Sequence, residues 1–145
     1  GHHTEPHHRV AALAERVGLS SQSLTRSPIE FSGGQRQRLA IARALAAEPD
    51  VLILDEAFSG LDGATQAQIG GLLLELRRDL GLACIVITHD LGFAGRLADE
   101  IAVMQHGRVV ESGAAASILE GPRHPHTQAL IEAIPQASAG MGAEP

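Results

Sequence analysis

The sequence predicts an α/β fold in which a mostly parallel sheet is flanked by helices. Two short, continuously apolar runs, residues 51–54 and 83–87, suit strands buried on both faces of such a sheet. Apolar residues three and four positions apart predict a helix between these strands, and a second helix after residue 90. Strands that alternate with helices pair in parallel, because each helix carries the chain back across the sheet.

Composition limits the possible functions. The 145 residues are enough for one domain, and 44% apolar residues with only 2% aromatics predict an aliphatic core. The net charge of −6 argues against a nucleic-acid partner, which usually binds a basic face. The single cysteine, Cys84, excludes an internal disulfide and suits a small buried apolar residue. No apolar run approaches the roughly 18 residues of a membrane span, so we expect a cytoplasmic protein.

Two helices are predicted before the first strand. The first has an apolar stripe and ends at Gly18. The stripe consists of Val10, Leu13 and Val17. Residues 20–28 are interpreted as a polar loop. The second helix opens at Ser32 and runs to residue 47, because good helix formers fill it and Pro49 prevents its continuation.

The central helix lies between the two strands. Asp62 is placed to cap it and Gly81 to end it. Its apolar stripe consists of Ile69, Leu72, Leu73, Leu76 and Leu80. Gly70 and Gly71 interrupt the helix at a cost of about 1 kcal/mol each, which indicates close packing at these positions.

The remaining elements are shorter. The helix after residue 90 has an apolar side made of Leu91, Ala94, Leu97 and Ala98. Residues 101–104 and 109–110 predict two strands joined by a turn around Gly107. Short helices are expected at 117–119 and 127–134, and residues 138–145 have a composition typical of disorder.

Two adjacent acids, Asp55 and Glu56, follow the first strand at its carboxyl end, where open α/β sheets carry their chemistry. Asp55 can hold a Mg²⁺ ion through water, since this ion prefers oxygen ligands and keeps several waters. Glu56 can then orient or deprotonate an attacking water. Taken alone, the pair fits a solvated loop equally well.

Ser32, Gly33 and Gly34 open the second helix. Free backbone N–H groups and the helix dipole favour an anion at this position, and glycines allow a phosphate to approach closely. Taken alone, these residues are better explained as an ordinary serine cap.

The order of these features resembles the ATP-binding subunits of ABC transporters. Residues 31–62 read FSGGQRQRLAIARALAAEPDVLILDEAFSGLD. FSGGQ is similar to the family's signature motif, VLILDE to its Walker B strand, and SGLD to its D-loop. ITHD, at residues 87–90, resembles the switch-histidine region. The resemblance covers nearly the whole chain and implies a partial P-loop NTPase fold with part of the helical signature subdomain.

The resemblance implies a role for each matching residue. Asp55 would assist Mg²⁺ binding, Glu56 would polarise the hydrolytic water, and His89 would contact the γ-phosphate of ATP. Asp62 would link the two nucleotide sites of a dimer. The clamp on the γ-phosphate held by the opposite subunit would consist of Ser32, Gly33, Gly34 and Gln35. Phosphoryl transfer depends mainly on positioning and electrostatic stabilisation, which explains the number of polar contacts.

The sequence departs from the family pattern at several places. Phe31 replaces the usual leucine, and Ala57 and Phe58 replace a frequent Pro-Thr pair, but the carboxylates stay intact. The chain contains no G-x-x-x-x-G-K-[ST] loop, no lysine and no Q-loop region before the signature. We therefore expect the C-terminal half of an ATPase domain, a fragment that is inactive alone and marginally stable because its strands lack neighbours.

The tail resembles one subfamily. GRVVESG, at residues 107–113, is similar to the hairpin after the switch in importer ATPases. PRHPHTQAL, at residues 122–130, is similar to the HPYT extension of oligopeptide, dipeptide and nickel importer ATPases, with His126 in place of tyrosine. The resemblance implies transport of peptides or nickel. It also implies a second ATPase subunit, identical or related, and transmembrane permease subunits as partners, at the inner face of the plasma membrane.

We predict three parts in the chain. Residues 1–48 would form the end of the helical subdomain with the signature, residues 49–121 the C-terminal part of the ATPase core, and residues 122–145 the extension. The N-terminal histidines suit a tag remnant or a solvated segment better than a metal site. They are His2, His3, His7 and His8.

Two other functions stay open at this point. One is a soluble ABC-type ATPase of DNA repair or of the ribosome, which the hairpin, the tail and the scarcity of basic residues disfavour. The other is a non-catalytic remnant that acts only as an interaction module.

Overall fold

The computed structural model describes residues 4–134, which form two compact units, one ending at Thr88 and one beginning at His89. The helices are α1 (Thr4–Arg16), α2 (Gly33–Leu45), α3 (Gly63–Leu80), α4 (Leu91–Leu97), α5 (Ala115–Glu120) and α6 (Pro125–Glu132). The strands are β1 (Val51–Asp55), β2 (Ala83–Ile87), β3 (Glu100–Gln105) and β4 (Arg108–Ala114). The predictions for His2, His3 and residues 138–145 concern residues outside the described part.

An arginine joins the first two helices of the first unit. Arg38 in α2 donates from Nη1 to the Val17 carbonyl oxygen at 2.7 Å, which satisfies a carbonyl group at the end of α1. Gly18 follows with a φ of 75°, and a Cβ atom there would lie only 2.7 Å from the same Arg38 nitrogen. The predicted stop at Gly18 is confirmed, and its reason is both conformational and steric.

The segment between α1 and α2 is not a simple polar loop, and that prediction is wrong. Two short 3₁₀ turns, Ser21–Thr25 and Pro28–Glu30, occupy it. The Ser20 hydroxyl accepts from the Gln22 N–H at 3.2 Å, and the Glu30 carboxylate accepts from the Ser27 N–H at 2.7 Å. Short polar side chains are common both in capped 3₁₀ turns and in irregular loops, so composition alone does not distinguish these two structures.

The predicted parallel pair is confirmed in the first unit. β1 and β2 are in register from Val51 opposite Ala83 to Asp55 opposite Ile87. Burial on both faces is not observed, because Leu52 and Leu54 are buried whereas Val51 and Ile53 are 47% and 63% exposed. Side chains alternate between the faces of a strand, and only one face is covered in the part of the chain that the structure describes.

α3 begins and ends as predicted. Asp62 caps it, and Gly81 ends it in the left-handed conformation with a φ of 65°. Four of the five predicted stripe residues are buried, but Leu80, in the last turn, is 45% exposed. The close packing expected at Gly71 is not found, since a Cβ atom there would meet nothing within 4 Å.

Within residues 89–134, the second unit contains an antiparallel hairpin and three short helices. β3 pairs with β4 from Glu100 opposite Ala114, with a register shift between Val103 and Met104. β4 is longer than predicted, and the turn places His106 and Gly107 at positive φ. A small core forms between the hairpin and the helices. Its buried members are Leu91, Ile101, Val103, Ala115 and Ile118.

Candidate functional site

The start of α2 is a closed capping box. The Ser32 hydroxyl accepts from the Gln35 N–H at 3.2 Å, and the Gln35 side-chain oxygen accepts from the Ser32 N–H at 3.0 Å. The N–H groups of Gly33 and Gly34 lie in the first helical turn, where no intrahelical acceptor is available. The arrangement fixes the helix start and leaves donors near its positive end. The capping box does not test the predicted clamp role of Gln35, which stays a prediction.

Packing explains why two of these residues are glycines. A Cβ atom at Gly34 would lie 2.6 Å from the Thr65 methyl carbon in α3. A Cβ atom at Gly33 would lie 3.1 Å from a Leu61 methyl carbon. Phe31, just before the cap, is buried and anchors the segment. The helix start is therefore packed against the residues around the beginning of α3.

Asp55 and Glu56 lie at the shared carboxyl end of β1 and β2. Both residues are exposed, and Asp55 lies opposite Ile87 in the parallel register. The Glu56 N–H donates to the Ile87 carbonyl oxygen at 2.9 Å, which extends the pairing by one residue. Glu56 has a φ of 47°, in a region that costs a non-glycine residue about 1–3 kcal/mol and that often occurs at functional sites.

The segment after these acids is tied to α3. The buried Phe58 accepts through its carbonyl oxygen from the Leu61 N–H at 3.3 Å and from Gln66 Nε2 at 3.2 Å. Asp62 accepts from the Thr65 N–H at 2.9 Å and from the Thr65 hydroxyl at 2.6 Å. The Thr65 hydroxyl, followed by the Thr65 N–H, lowers the pKa of Asp62 below its ordinary value.

His89 is the first residue of the second unit and is exposed. It follows the end of β2 by two residues and precedes Asp90, which caps α4 by accepting from the Phe93 N–H at 2.8 Å. Asp55 and Glu56 belong to the first unit, so the predicted joint action of His89 with them stays a prediction.

Sequence reasoning missed Thr65, which contacts two of the predicted site segments. It packs against Gly34 and hydrogen-bonds Asp62. An Asp followed three residues later by Thr is a detectable capping signal, but the contact with Gly34 joins residues 31 positions apart and has no sequence signature.

A second polar cluster, which the sequence also did not indicate, lies in the second unit. Glu111 of β4 accepts from the N–H groups of Arg123 and His124 at 2.8 and 3.0 Å. The Thr127 hydroxyl is buried and has no hydrogen-bond partner among the described residues. This hydroxyl, followed by the N–H groups of Arg123 and His124, lowers the pKa of Glu111 below its ordinary value. His124 caps α6 by accepting from the His126 N–H.

The fold and the site define a class of protein. A parallel strand pair ends in adjacent acids, and the same unit contains a serine-capped glycine helix start, as in nucleotide-binding domains of the P-loop NTPase type. A family model described as ABC transporter matches residues 2–59. The chain is similar to the ATP-binding domains of ABC transporters, as the sequence predicted.

Individual relatives agree with this assignment. The chain is 50% identical over 129 residues to the glutathione import ATP-binding protein GsiA of Shigella flexneri serotype 5b (strain 8401) and of Escherichia coli (strain K12). That alignment covers 89% of this chain and 21% of either relative, so the chain spans about a fifth of their length.

Solved structures agree on the fold. The chain is similar to cbiO1 from Clostridium perfringens, part of the ABC transporter complex cbiONQ, with 36% identity and a TM-score of 0.72 over 81% of this chain and 46% of that one. It is also similar to the ADP conformation of MJ1267, an ATP-binding cassette of an ABC transporter, with 25% identity and a TM-score of 0.75 over 87% and 49%.

None of the helices in residues 4–134 combines the length and the apolar character that crossing a membrane requires. Within the same range, no three histidine, cysteine or acidic side chains gather where they would hold a metal ion by themselves.

Proposed function

We propose that this chain is part of the ATP-binding and ATP-hydrolysing subunit of an ABC importer that energises the uptake of small peptides. The observation that carries the proposal is the packing of the glycine helix start against the segment capped by Asp62, in the unit that also contains Asp55 and Glu56. The similarity to GsiA, a glutathione import protein, supports a peptide in preference to nickel, because glutathione is itself a small peptide.

The residues fit a nucleotide and a magnesium ion. Asp55 is an exposed carboxylate at the end of a strand, which offers the oxygen ligands that Mg²⁺ prefers. ATP supplies the phosphoryl group, and Mg²⁺ neutralises charge on its phosphates. Glu56, whose backbone N–H bonds the Ile87 carbonyl oxygen, would orient the attacking water. His89 would stabilise charge on the γ-phosphate.

The other predicted residues would act toward a second subunit. Ser32 and the N–H groups of Gly33 and Gly34 would bind the γ-phosphate held by that subunit, since a capped helix start favours an anion. Asp62 would lie between the two nucleotide sites. Permease subunits would hold the assembly at the inner face of the plasma membrane.

A chimera tests this function. Residues 10–134 of this chain replace the corresponding residues of GsiA, and ATP hydrolysis and glutathione uptake are measured with the GsiA permease subunits. We expect ATP-dependent uptake that Glu56→Gln abolishes and Glu75→Gln preserves, because Glu75 is exposed on α3 away from the predicted site residues. Hydrolysis that is unaffected by Glu56→Gln would contradict the proposal.

A further inference from the structure

We propose that Thr65 is a positioning residue that couples the glycine helix start of α2 to Asp62. The proposal rests on the function proposed above for its biological meaning, but the coupling itself is a property of this chain without nucleotide. Thr65 contacts both segments with opposite sides of one short side chain. Its methyl group faces Gly34, and its hydroxyl group bonds Asp62.

The methyl side explains Gly34 by packing. Gly34 is buried, and a Cβ atom there would lie 2.6 Å from Thr65 Cγ2, closer than real Cβ contacts allow. Packing therefore favours glycine at position 34 whether or not a phosphate approaches there. Any side chain at Gly34 displaces Thr65 before it meets a ligand.

The hydroxyl side holds Asp62. Thr65 Oγ1 donates to Asp62 Oδ2 at 2.6 Å, and the Thr65 N–H donates to Asp62 Oδ1 at 2.9 Å. Together these bonds fix the carboxylate at the start of α3 and lower its pKa below the ordinary value. Removing the hydroxyl leaves one of the two bonds and lets the carboxylate turn.

The two sides are mechanically linked. Threonine branches at Cβ, so one χ1 rotation moves the methyl and the hydroxyl together. A χ1 rotation that moves the methyl group away from a side chain introduced at position 34 also withdraws the hydroxyl from Asp62. In the proposed dimer, a displacement at the phosphate-binding helix start would thereby reach the carboxylate that lies between the two sites.

The test measures the pKa of Asp62 by NMR titration of its side-chain carbon in the 145-residue chain. Gly34→Ala should raise the Asp62 pKa toward its ordinary value of 3.8, although Gly34 has no hydrogen bond to Asp62. Thr65→Ser keeps the hydroxyl and should leave the pKa low, whereas the nearly isosteric Thr65→Val should raise it.

The double variant, Gly34→Ala with Thr65→Ser, distinguishes coupling through Thr65 from a general loss of structure. In the Thr65→Ser background the methyl is gone, so Gly34→Ala should leave the Asp62 pKa low and should lower the thermal midpoint less than in the native background. An equal effect of Gly34→Ala in both backgrounds, or no effect in the native one, overturns the proposal. If Gly34→Ala alone does not fold, the double variant must fold, because loss of the Thr65 methyl group should relieve the clash. A double variant that also fails to fold overturns the proposal. No nucleotide is present, so the result is independent of the proposed ATPase function.

Discussion

At the scale of single residues, capping contacts recur in both units. Ser32 and Gln35 cap the start of α2, and Asp62 and Thr65 cap the start of α3. Glu111 accepts hydrogen bonds from the segment before α6. A cap satisfies backbone groups that a helix end otherwise leaves without partners. The same residues also hold N–H donors and carboxylates at defined places.

Substitutions at Ser32 separate its contribution to stability from its proposed contribution to phosphate binding. Ser32→Ala should lower the free energy of unfolding by about 1 kcal/mol, because the Gln35 N–H loses its acceptor. Ser32→Asp should keep the cap and the stability but repel an incoming phosphate. Urea unfolding of the chain checks the first effect, and ATP-dependent uptake by the chimera checks the second. Equal losses of stability for both substitutions would argue against the capping role.

We expect the hydrogen bonds that Glu111 accepts to depend on pH. Its pKa is lowered in the folded chain, so its stabilising contribution is complete above the ordinary value of 4.5 and is lost as pH falls through the lower folded-state value. We expect the amide protons of Arg123 and His124 to be protected from exchange at pH 4.5 and above, and to lose protection as the pH falls through the lower folded-state pKa of Glu111. Glu111→Gln should weaken this pH dependence, and protection that does not change with pH in the acid range would count against it.

At the scale of elements, α3 connects the strands and carries the apolar stripe of the first unit. Ile69, Leu72, Leu73 and Leu76 are buried, and the capped start at Asp62 is the end of the helix that contacts the site. Its two adjacent glycines differ from each other, because Gly70 is buried whereas Gly71 is exposed with free space around it. Gly71 therefore weakens the helix without a packing reason.

Gly71→Ala should stabilise the chain by about 1 kcal/mol, the helix-propensity difference between the two residues. The measurement is the midpoint of thermal or urea unfolding by circular dichroism. Gly34→Ala is the matched control, since the same substitution in α2 meets Thr65 and should destabilise. A loss of stability from Gly71→Ala would show that this position is packed after all.

At the scale of the whole chain, the outstanding feature is the uncovered face of the parallel pair. Val51, Ile53, Ile85 and Ile87 are each about half exposed or more, in neighbouring register positions. Exposed strand faces and edges of this kind associate with other chains. The expected marginal stability of the isolated chain has this physical origin.

The isolated 145-residue chain should self-associate through this face. Ile53→Thr should reduce the association measured by analytical ultracentrifugation while leaving the unfolding midpoint nearly unchanged, because Ile53 is 63% exposed. Leu52→Ala on the buried face should instead cost about 2–5 kcal/mol of stability. A monomeric chain with a sharp cooperative melt would contradict the expectation.

The isolated chain should also show no ATP hydrolysis above background. It has no lysine and no phosphate-binding loop, so Asp55 and Glu56 have no cradle that would place a nucleotide against them. Phosphate release by purified chain, compared with the chimera at equal concentration, measures this. Turnover that Glu56→Gln removes would overturn the prediction.

The sequence by itself determined the order of elements, the two parallel strands, the caps at Ser32 and Asp62, and the family. These features follow from local signals, namely apolar periodicity, capping residues and short motifs, which act over a few positions along the chain. Residues 20–28 mark the limit of this reasoning, because the same polar side chains serve turns and loops.

Only the tertiary structure decided which face of β1 is buried, why Gly34 is a glycine while Gly71 need not be, and that Glu111 holds the segment before α6. Each of these depends on a contact between residues distant in sequence or on whether a neighbouring layer is present. Such contacts follow from packing in three dimensions, and a local pattern does not encode its distant neighbours.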